Sequence, residues 1–569
     1  MSFKGLSYLF RKYALVRGGL VVVVIAAVFG ISFFFANRMN QSPRILSLEP
    51  AVGFPGDTIV VRGAFFGDEQ GNGFIEIAGS RLTGSSYRSW SDTEISAVLP
   101  YGVQNGLVYV VTKGGRSEPV IFANKTSIPV QVQPMQDTGV PVILAVKEQK
   151  VPIGGAVTIT GRNFGSSRNG SQVFFAWAAE GGSTLSAQSA QSGRDDGLDR
   201  FIPCSESDFD YEFWSDEEIR VRVPDGAVSG SLYVSLQKEN SNREYIEITD
   251  KPGIKAFADR RRYIVSLSVD VTDTAAAGED NVLFLRVPRP PVTASQREVE
   301  LSLSNREPFL PNYMNAILYQ FEDVKSQERA SAELRFLVTT YGVQTQVTPR
   351  LVKDYSGKSR SLFAQYTRPD ELVPSGDSAV TALLPAIVGR ERNSWTKAQA
   401  VYSWLLDEVA LLPEVRSSEA NPLEALGLRE GDAYDMAVLF CAFARAAGIP
   451  AVPVSGILLD RDSVSRVHWW AEFYVENFGW VPVDPALGAG MAYTPFQERE
   501  SNRSFYFGNL DGQHIVFSRG LSVQKPMVPW GRSVIRSRSY AFQSIWEESA
   551  GDIERYTSLW RDPKVDGFY

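Results

Sequence analysis

An internal repeat in the first half of the chain limits its fold more than any other feature of the sequence. The segment GDTIVVRGAFFG at 56–67 returns as GGAVTITGRNFG at 154–165, and WSDTEISAVLP at 90–100 returns as WSDEEIRVRVP at 214–224. Both copies alternate β-branched residues between glycines, which is typical of short strands. Repetition of such a unit predicts two small all-β sandwiches in tandem.

The two sandwiches are predicted at 43–125 and 140–250. The two copies of the Trp-Ser-Asp block lie further apart in the sequence than the two copies of the glycine-rich block, so the second repeat contains an insertion. We place this insertion at about 178–210, in a Ser- and Gly-rich loop. The repeated blocks resemble the IPT/TIG family of immunoglobulin-like domains. This resemblance implies an adhesive or spacing module without a specific ligand, and Trp90 and Trp214 are expected in the two cores.

An uncharged apolar run near the start predicts a membrane anchor. The sequence GGLVVVVIAAVFGISFFFA at 18–36 would form a helix about 28 Å long, which matches the hydrocarbon core of a bilayer. More basic residues precede the run than follow it, so the positive-inside rule leaves residues 1–17 in the cytoplasm. We therefore predict a transmembrane helix at 18–37, in a single-pass protein of the bacterial inner membrane whose bulk is periplasmic. A cleaved signal peptide is the alternative, which the length of the run disfavours.

Charge and metal-ligand content exclude several classes of function. The formal net charge is −8 and no stripe of basic residues offsets it, so a nucleic acid is not an expected partner. The two cysteines, Cys204 and Cys441, fall in different predicted domains and exclude a disulfide scaffold. Two histidines and two cysteines are too few for a structural zinc site, and no metal or cofactor is predicted. His514 is predicted to be a structural residue of a late strand rather than a metal ligand.

Two further domains are predicted after the repeats. Alternating apolar residues indicate a β-rich accessory domain at 262–375, without a site of its own. An α+β domain is predicted at 376–520, in which an Ala-rich helix ends at Gly448 and the segments VPVSGILL, RVHWWAEFYV and FGWVPVDP form strands. Residues 521–569 form an extension that packs on this domain or follows it.

Four motifs of the α+β domain resemble those of the transglutaminase-like, papain-related superfamily. They are the helix start GDAYDMAVL, the helix end RAAGIPA, the strand HWWAEFY and the strand GWVPVDP, and they occur in the family's order. The resemblance implies a thiolate at the helix N-terminus, a histidine that takes the thiol proton and a carboxylate that orients this histidine. In this sequence it assigns the base to His468 and the carboxylate to Asp484, on neighbouring strands near the helix N-terminus.

The family's nucleophile is missing from this sequence. Ala433 occupies its position, and a methyl group can neither ionise nor attack a carbonyl. Cys441 lies about 12 Å further along the same helix and is predicted to be a buried core residue. His468 and Asp484 are therefore predicted to be a vestigial catalytic dyad. The candidate ligand-binding residues are the side chains nearest the predicted cleft, namely Tyr434, Asp435, Trp469 and Trp470.

Three functional hypotheses are compatible with this sequence. The first is a catalytically inactive envelope scaffold that uses the vestigial cleft to bind a peptide, a protein or a cell-wall component. The second is an acyltransferase or hydrolase of unorthodox mechanism, in which His468 and Asp484 work without a thiol, assisted by Asp435 and Tyr434. The third is a purely structural envelope protein in which the repeats and the accessory β-domain make all interactions.

Overall fold

The protein is described here by a computed structural model. It covers residues 42–569 except 54–55, 101–102, 104–105, 125–138, 169, 180–200, 207, 237–238, 314 and 525–533. The chain divides into two compact units, Met1–Lys125 and Thr126–Tyr569. The predicted transmembrane helix at 18–37 lies outside the described residues, and within the described ranges no helix has the length and apolarity needed to span a bilayer.

The first unit is a β-sandwich. Its strands are β1 (Arg44–Glu49), β2 (Val52–Gly53), β3 (Thr58–Ala64), β4 (Phe74–Ile77), β5 (Ser80–Arg81), β6 (Tyr87–Trp90), β7 (Glu94–Val98), β8 (Gly106–Thr112), β9 (Gly115–Arg116) and β10 (Val120–Asn124). One sheet has the order β1-β3-β7-β6 and the other β2-β10-β8-β4-β5, with β9 paired to β8. Apolar side chains such as Ile59, Ile95 and Phe122 fill the space between them.

The second repeat has the same strand order as the first. Its strands are β11 (Val142–Val146), β12 (Lys150–Val151), β13 (Ala156–Arg162), β14 (Gln172–Ala176), β15 (Phe201–Pro203), β16 (Tyr211–Trp214), β17 (Glu218–Arg222), β18 (Gly230–Ser235) and β19 (Glu244–Ile248). Its sheets run β11-β13-β17-β16 and β12-β19-β18-β14-β15. The repeated tryptophans are equivalent, because Trp90 Nε1 donates to Phe66 O at 3.1 Å and Trp214 Nε1 donates to Phe164 O at 3.0 Å.

The insertion predicted at 178–210 is shorter than expected. Strand β15 begins within it and pairs with β14, and the side chains of Phe201, Cys204 and Phe209 are buried. The C-terminal part of the predicted loop therefore belongs to the sandwich, because its apolar side chains are needed to complete the core. Residues 180–200 lie outside the described residues.

A large antiparallel sheet follows the second repeat. Its strands are β20 (Gly253–Pro288), β21 (Gln296–Ser304), β22 (Leu310–Tyr313), β23 (Ala316–Phe321) and β24 (Ala330–Val347), in the order β21-β24-β20-β23-β22. Strand β20 begins at Gly253, so this domain starts earlier than the predicted boundary at 262. The charged segment before that boundary forms ladder pairs with β24 instead of a linker.

The next domain wraps several helices and a four-stranded sheet around one buried helix. The helices are α1 (Gly357–Leu362), α2 (Ser378–Val388), α3 (Ser394–Glu408), α4 (Pro422–Leu428), α5 (Ala433–Ala446), α6 (Pro485–Gly488) and α7 (Asn502–Phe505). The strands are β25 (Ala410–Leu411), β26 (Glu430–Gly431), β27 (Ala451–Leu459), β28 (Ser465–Val475), β29 (Gly479–Val483) and β30 (His514–Arg519). The main sheet has the order β29-β28-β27-β30.

Helix α5 is the centre of this domain. Asp432 caps it, since its side chain accepts from Asp435 N at 2.9 Å while the Asp435 side chain accepts from Asp432 N at 3.1 Å. Gly448, at φ 80°, ends it in a left-handed conformation that suits glycine. Every residue from Ala433 to Arg445 is buried, which is typical of a helix enclosed on all sides.

The C-terminal extension returns to the large sheet. Strands β31 (Glu547–Trp560) and β32 (Lys564–Phe568) both pair with β20. On the way, residues 537–541 pass over the N-terminus of helix α5. We call residues 537–541 the covering segment.

Candidate functional site

The position that the resemblance assigns to the nucleophile lies at the first turn of helix α5. Ala433 is the first residue of that helix, and only 7% of its surface is exposed. A helix N-terminus presents free N–H groups and the positive end of the helix dipole, which would lower the pKa of a thiol placed there. The methyl group of Ala433 makes no use of this environment.

Two guanidinium groups close this end of the helix. Arg538, in the covering segment, donates from Nε to Asp432 Oδ2 at 3.1 Å and from Nη2 to Asp435 Oδ1 at 2.6 Å. Arg416 donates from Nη1 to Asp435 Oδ2 at 2.9 Å. The side chain of Arg538 is only 2% exposed and lies 4.4 Å from the centre of the Tyr434 ring. Burial, followed by the charge of Asp432, raises the pKa of Asp435 in spite of both guanidinium groups.

Hydrogen bonds also hold the backbone of the covering segment. Ser539 O accepts from Trp469 Nε1 at 3.1 Å and from the hydroxyl of Ser455. Arg538 has φ 53°, a left-handed conformation that costs a residue with a side chain about 1–2 kcal/mol. The ion pairs and hydrogen bonds of the segment therefore hold a backbone shape that is unfavourable by itself.

The four residues predicted to bind a ligand are buried, and their present contacts are with the protein itself. Tyr434 meets Trp469 edge-on, with ring centres 5.8 Å apart, on the side of the sheet that packs against helix α5. Successive side chains of a strand point to opposite faces, so Trp470 packs on the other side. Together with Asp435, these residues would meet a ligand only after the structure around them opens.

The predicted base and carboxylate are brought together. His468 lies on β28 and Asp484 caps helix α6, and His468 Nε2 is 2.6 Å from Asp484 Oδ2. The second carboxylate oxygen accepts from Leu487 N at 2.9 Å, which fixes the orientation of the carboxylate. Burial opposes ionisation of Asp484, but the two histidines facing it, His468 and His514, outweigh this effect and lower its pKa.

Sequence reasoning missed the second histidine of the site. His514 does lie on a late strand, as predicted, but its Nε2 is 3.2 Å from Asp484 Oδ2 and its Nδ1 is 2.8 Å from Asp511 Oδ1. Asp511 in turn accepts from Tyr506 Oη at 2.9 Å and from Arg499 Nη2 at 3.0 Å. Burial alone would lower the pKa of His514, but the two carboxylates prevail and raise it to about 9.

His468, Asp484, His514 and Asp511 therefore form a continuous buried chain, which we call the His–Asp chain. The Asp-Gly-Gln-His order at the start of a strand was the available sequence signal for its second half. Two imidazole nitrogens and one carboxylate oxygen, from His468, His514 and Asp484, lie within 4.8 Å of one another and could together hold a metal ion.

The His–Asp chain ends at the wall of a cavity of about 440 Å³. Asp511 and Arg499 line this cavity, which is otherwise bordered by residues of β24, β20 and the loop around helix α7. Cys441, the single thiol of the domain, is fully buried in the core as predicted, and burial raises its pKa. It is therefore unsuited to act as a nucleophile of this domain.

Two family models match separate parts of this chain. Residues 381–485 match the transglutaminase-like superfamily core, and residues 43–133 match the IPT/TIG domain. An uncharacterised protein of Haemophilus influenzae is 25% identical over 258 residues, which cover 37% of this chain and 68% of that protein.

Two solved structures of bacterial proteins were matched with parts of this chain. A putative cysteine protease from Cytophaga hutchinsonii is 13% identical, with a TM-score of 0.36, covering 56% of this chain and 92% of its own. The periplasmic domain of TgpA from Pseudomonas aeruginosa is 13% identical, with a TM-score of 0.23, covering 42% of this chain and 88% of its own. This multidomain, β-rich chain thus carries an IPT/TIG domain near its N-terminus and a transglutaminase-like domain in its C-terminal half.

Proposed function

We propose that the transglutaminase-like domain is a catalytically inactive scaffold that binds a peptide or protein in the bacterial envelope. The observation that supports this most is Ala433, which takes the nucleophile's position under the covering segment. No serine or threonine lies between 431 and 437, and Cys441 is buried too far along the helix. Removing the nucleophile of a catalytic triad costs about 10⁶ in rate, so the remaining groups provide only background activity.

The covering segment indicates which ligand chemistry the cleft accepts. It is a stretch of polypeptide whose carbonyl binds Trp469 and Ser455 and whose arginine pairs with Asp432 and Asp435. A partner peptide with a basic side chain would make the same contacts after displacing this segment. The scaffold is therefore expected to bind basic peptide segments rather than acidic ones.

Catalytic inactivity is tested with the full-length chain in detergent. Incorporation of a labelled amine into a glutamine-containing peptide, and hydrolysis of the same peptide, are both expected at the level of a no-protein blank. Thiol-dependent turnover by the wild-type chain would contradict the proposal.

Peptide binding is tested by weakening the cover. Arg538→Ala removes the arginine that holds the covering segment over helix α5. A labelled RSRSYA peptide, which copies residues 536–541, should bind this variant at least about tenfold more tightly than it binds the wild-type chain, because one charged hydrogen-bonded contact is worth about 1.5–3 kcal/mol. The matched control peptide is RSASYA. Equal binding of the two peptides, or no binding of either, would refute the proposed ligand class.

A second candidate is an enzyme that works without a thiol. The 2.6 Å contact between His468 and Asp484 favours it, because it is the contact that orients a general base. A general base of this kind contributes about 10²–10⁴ to a rate. Turnover by the wild-type chain that His468→Ala abolishes would support this candidate against the scaffold.

We also propose that the chain is anchored by the segment at 18–37, with residues 1–17 cytoplasmic and the bulk periplasmic. The apolar run and its charge asymmetry support this placement. The second repeat, which shares the strand order of the IPT/TIG domain, is proposed to be another immunoglobulin-like spacer. Protease added to cells with a permeabilised outer membrane should digest the large fragment, whereas protection until the inner membrane is lysed would reverse the orientation.

A further inference from the structure

Three side chains of the His–Asp chain converge on one point. Nε2 of His468 and Nε2 of His514 lie 2.6 and 3.2 Å from the same oxygen, Oδ2 of Asp484, and the ligand atoms of these residues lie within 4.8 Å of one another. Metal–ligand distances near 2.1 Å place neighbouring ligand atoms about 3–3.5 Å apart. Side-chain shifts of about 1 Å would convert the present arrangement into a coordination site.

The groups behind these three side chains are those that a metal site requires. Ligating histidines commonly donate their second ring N–H to a carboxylate, which fixes the tautomer and orientation of the ring. His514 has this partner in Asp511, at 2.8 Å from Nδ1, and Tyr506 and Arg499 hold Asp511 in place. The other oxygen of the Asp484 carboxylate, Oδ1, accepts a hydrogen bond from Leu487 N, which holds the carboxylate in place.

Both ring nitrogens of His514 face carboxylates. Nδ1 donates to Asp511 Oδ1 at 2.8 Å, and Nε2 lies 3.2 Å from Asp484 Oδ2. A metal ion would therefore bind between Nε2 and Asp484 in exchange for a proton, as metal binding to histidine generally requires.

We propose that His468, Asp484 and His514 bind a divalent first-row transition-metal ion. Two imidazoles and one carboxylate are a borderline ligand set that suits Zn²⁺ and Fe²⁺ better than Mg²⁺ or Ca²⁺. Three protein ligands leave at least one coordination position open. This inference goes beyond the scaffold role and does not depend on it, because the peptide contacts of that role lie at the N-terminus of helix α5.

The three ligands are buried, and the nearest described cavity, of about 440 Å³, reaches the His–Asp chain at Asp511, which is directly bonded to His514. The side of the site that faces this cavity is therefore the His514 side.

The composition of the chain allows a sharp test. The chain has two histidines in total, so any imidazole bound to a metal must come from His468 or His514. The full-length chain, carrying a tag without histidine, is stripped with a chelator and loaded with Zn²⁺. X-ray absorption spectroscopy should then show about two imidazoles per zinc ion. Bound zinc without imidazole, or no retained zinc, would overturn the proposal, and this measurement requires no variant that has to fold.

Variants identify the residues in a second measurement, a titration with Co²⁺ that is followed by visible absorption and by displacement with Zn²⁺. His514→Gln should abolish the cobalt band, and Asp511→Asn, which changes only a positioning residue, should weaken Zn²⁺ binding about 10–100-fold. Cys441→Ala is the matched control, since it removes the only thiol of the domain, and it should leave both signals unchanged. Equal Zn²⁺ affinity of His514→Gln and the wild-type chain would overturn the assignment.

Discussion

The two halves of the candidate site differ in the side chains that they hold. At the N-terminus of helix α5, Ala433 takes the position assigned to the nucleophile, and a distant segment of the chain covers it. At the other half, His468 and Asp484 are in contact, and a second histidine and aspartate extend the pair. Under the proposed scaffold function, one half of the site has lost its catalytic group while the other keeps its pair.

Stability explains this difference without any requirement for catalysis. Alanine is the best helix former, so Ala433 costs the first turn of the helix nothing. Removing one member of a buried charged pair leaves its partner uncompensated, which costs about 3–5 kcal/mol. A retained His468–Asp484 pair is therefore expected in an active enzyme and in an inactive scaffold alike.

The largest predicted effect comes from removing the carboxylate at the centre of the His–Asp chain. Asp484→Ala leaves two buried histidines without the carboxylate that both of them face, and we expect the free energy of unfolding of this domain to fall by about 3–5 kcal/mol. Urea unfolding followed by tryptophan fluorescence measures it. Asp484→Asn is the matched control, because it keeps the shape and loses the charge. A loss below about 1 kcal/mol for the alanine variant would mean that the His–Asp chain does not stabilise the fold.

Weakening the contacts between the covering segment and the N-terminus of helix α5 should lower the free energy of unfolding by a smaller amount. Arg538→Ala removes two charged hydrogen bonds to Asp432 and Asp435 but leaves Arg416 on Asp435. We expect a loss of about 1.5–3 kcal/mol in the same unfolding experiment. Proteolysis should also cut the covering segment faster in this variant than in Arg390→Ala, a control at an exposed position in the same domain. Unchanged proteolysis would show that other contacts hold the segment.

The dependence of stability on pH distinguishes the two halves of the site, because the His–Asp chain contains a histidine with a raised pKa, His514. Two carboxylates raise the pKa of His514 to about 9, above its unfolded value of about 6.5. The stability that this group contributes is therefore fully present below about pH 6.5 and is lost as the pH rises through about 9. The melting temperature of the wild-type chain should fall over this window more steeply than that of His514→Gln. If the melting temperatures of the two proteins changed equally with pH, His514 would be neutral in the folded protein.

The smallest effect is expected at the position of the nucleophile. Ala433→Ser adds one hydroxyl at the first turn of helix α5, where serine is only slightly less favourable than alanine. The free energy of unfolding should change by less than about 1 kcal/mol. A loss comparable with that of Asp484→Ala would mean that this end of the site is packed as rigidly as the other.

Local patterns were enough to predict much of this molecule. The repeated glycine and tryptophan blocks predicted strands whose two copies share one order, and four motifs predicted helix α5 and the contact between His468 and Asp484. The role of His514 was missed because its partner Asp484 lies 30 positions earlier (514 − 484), on another element.

The covering segment and the final strands were missed for a related reason. Nothing near Arg538 in the sequence identifies Asp432 and Asp435 as its partners. Strand β31 is rich in charged residues and only partly buried, so its alternation is weak. Contacts of this kind depend on where the fold brings distant segments, which local periodicity does not encode.

The pKa of a thiol restored at position 433 tests most directly whether the site lacks only its nucleophile. Ala433→Cys places a thiol at the N-terminus of helix α5, close to Arg538, and the ultraviolet absorbance of the thiolate reports its ionisation without requiring access by a reagent. We predict a pKa below about 7 for this thiol, and a pKa above about 8.5 for Ala437→Cys, the matched control one turn further into the buried helix. Equal pKa values in the two variants would contradict the account, because the environment that activates the nucleophile would then have been lost together with it.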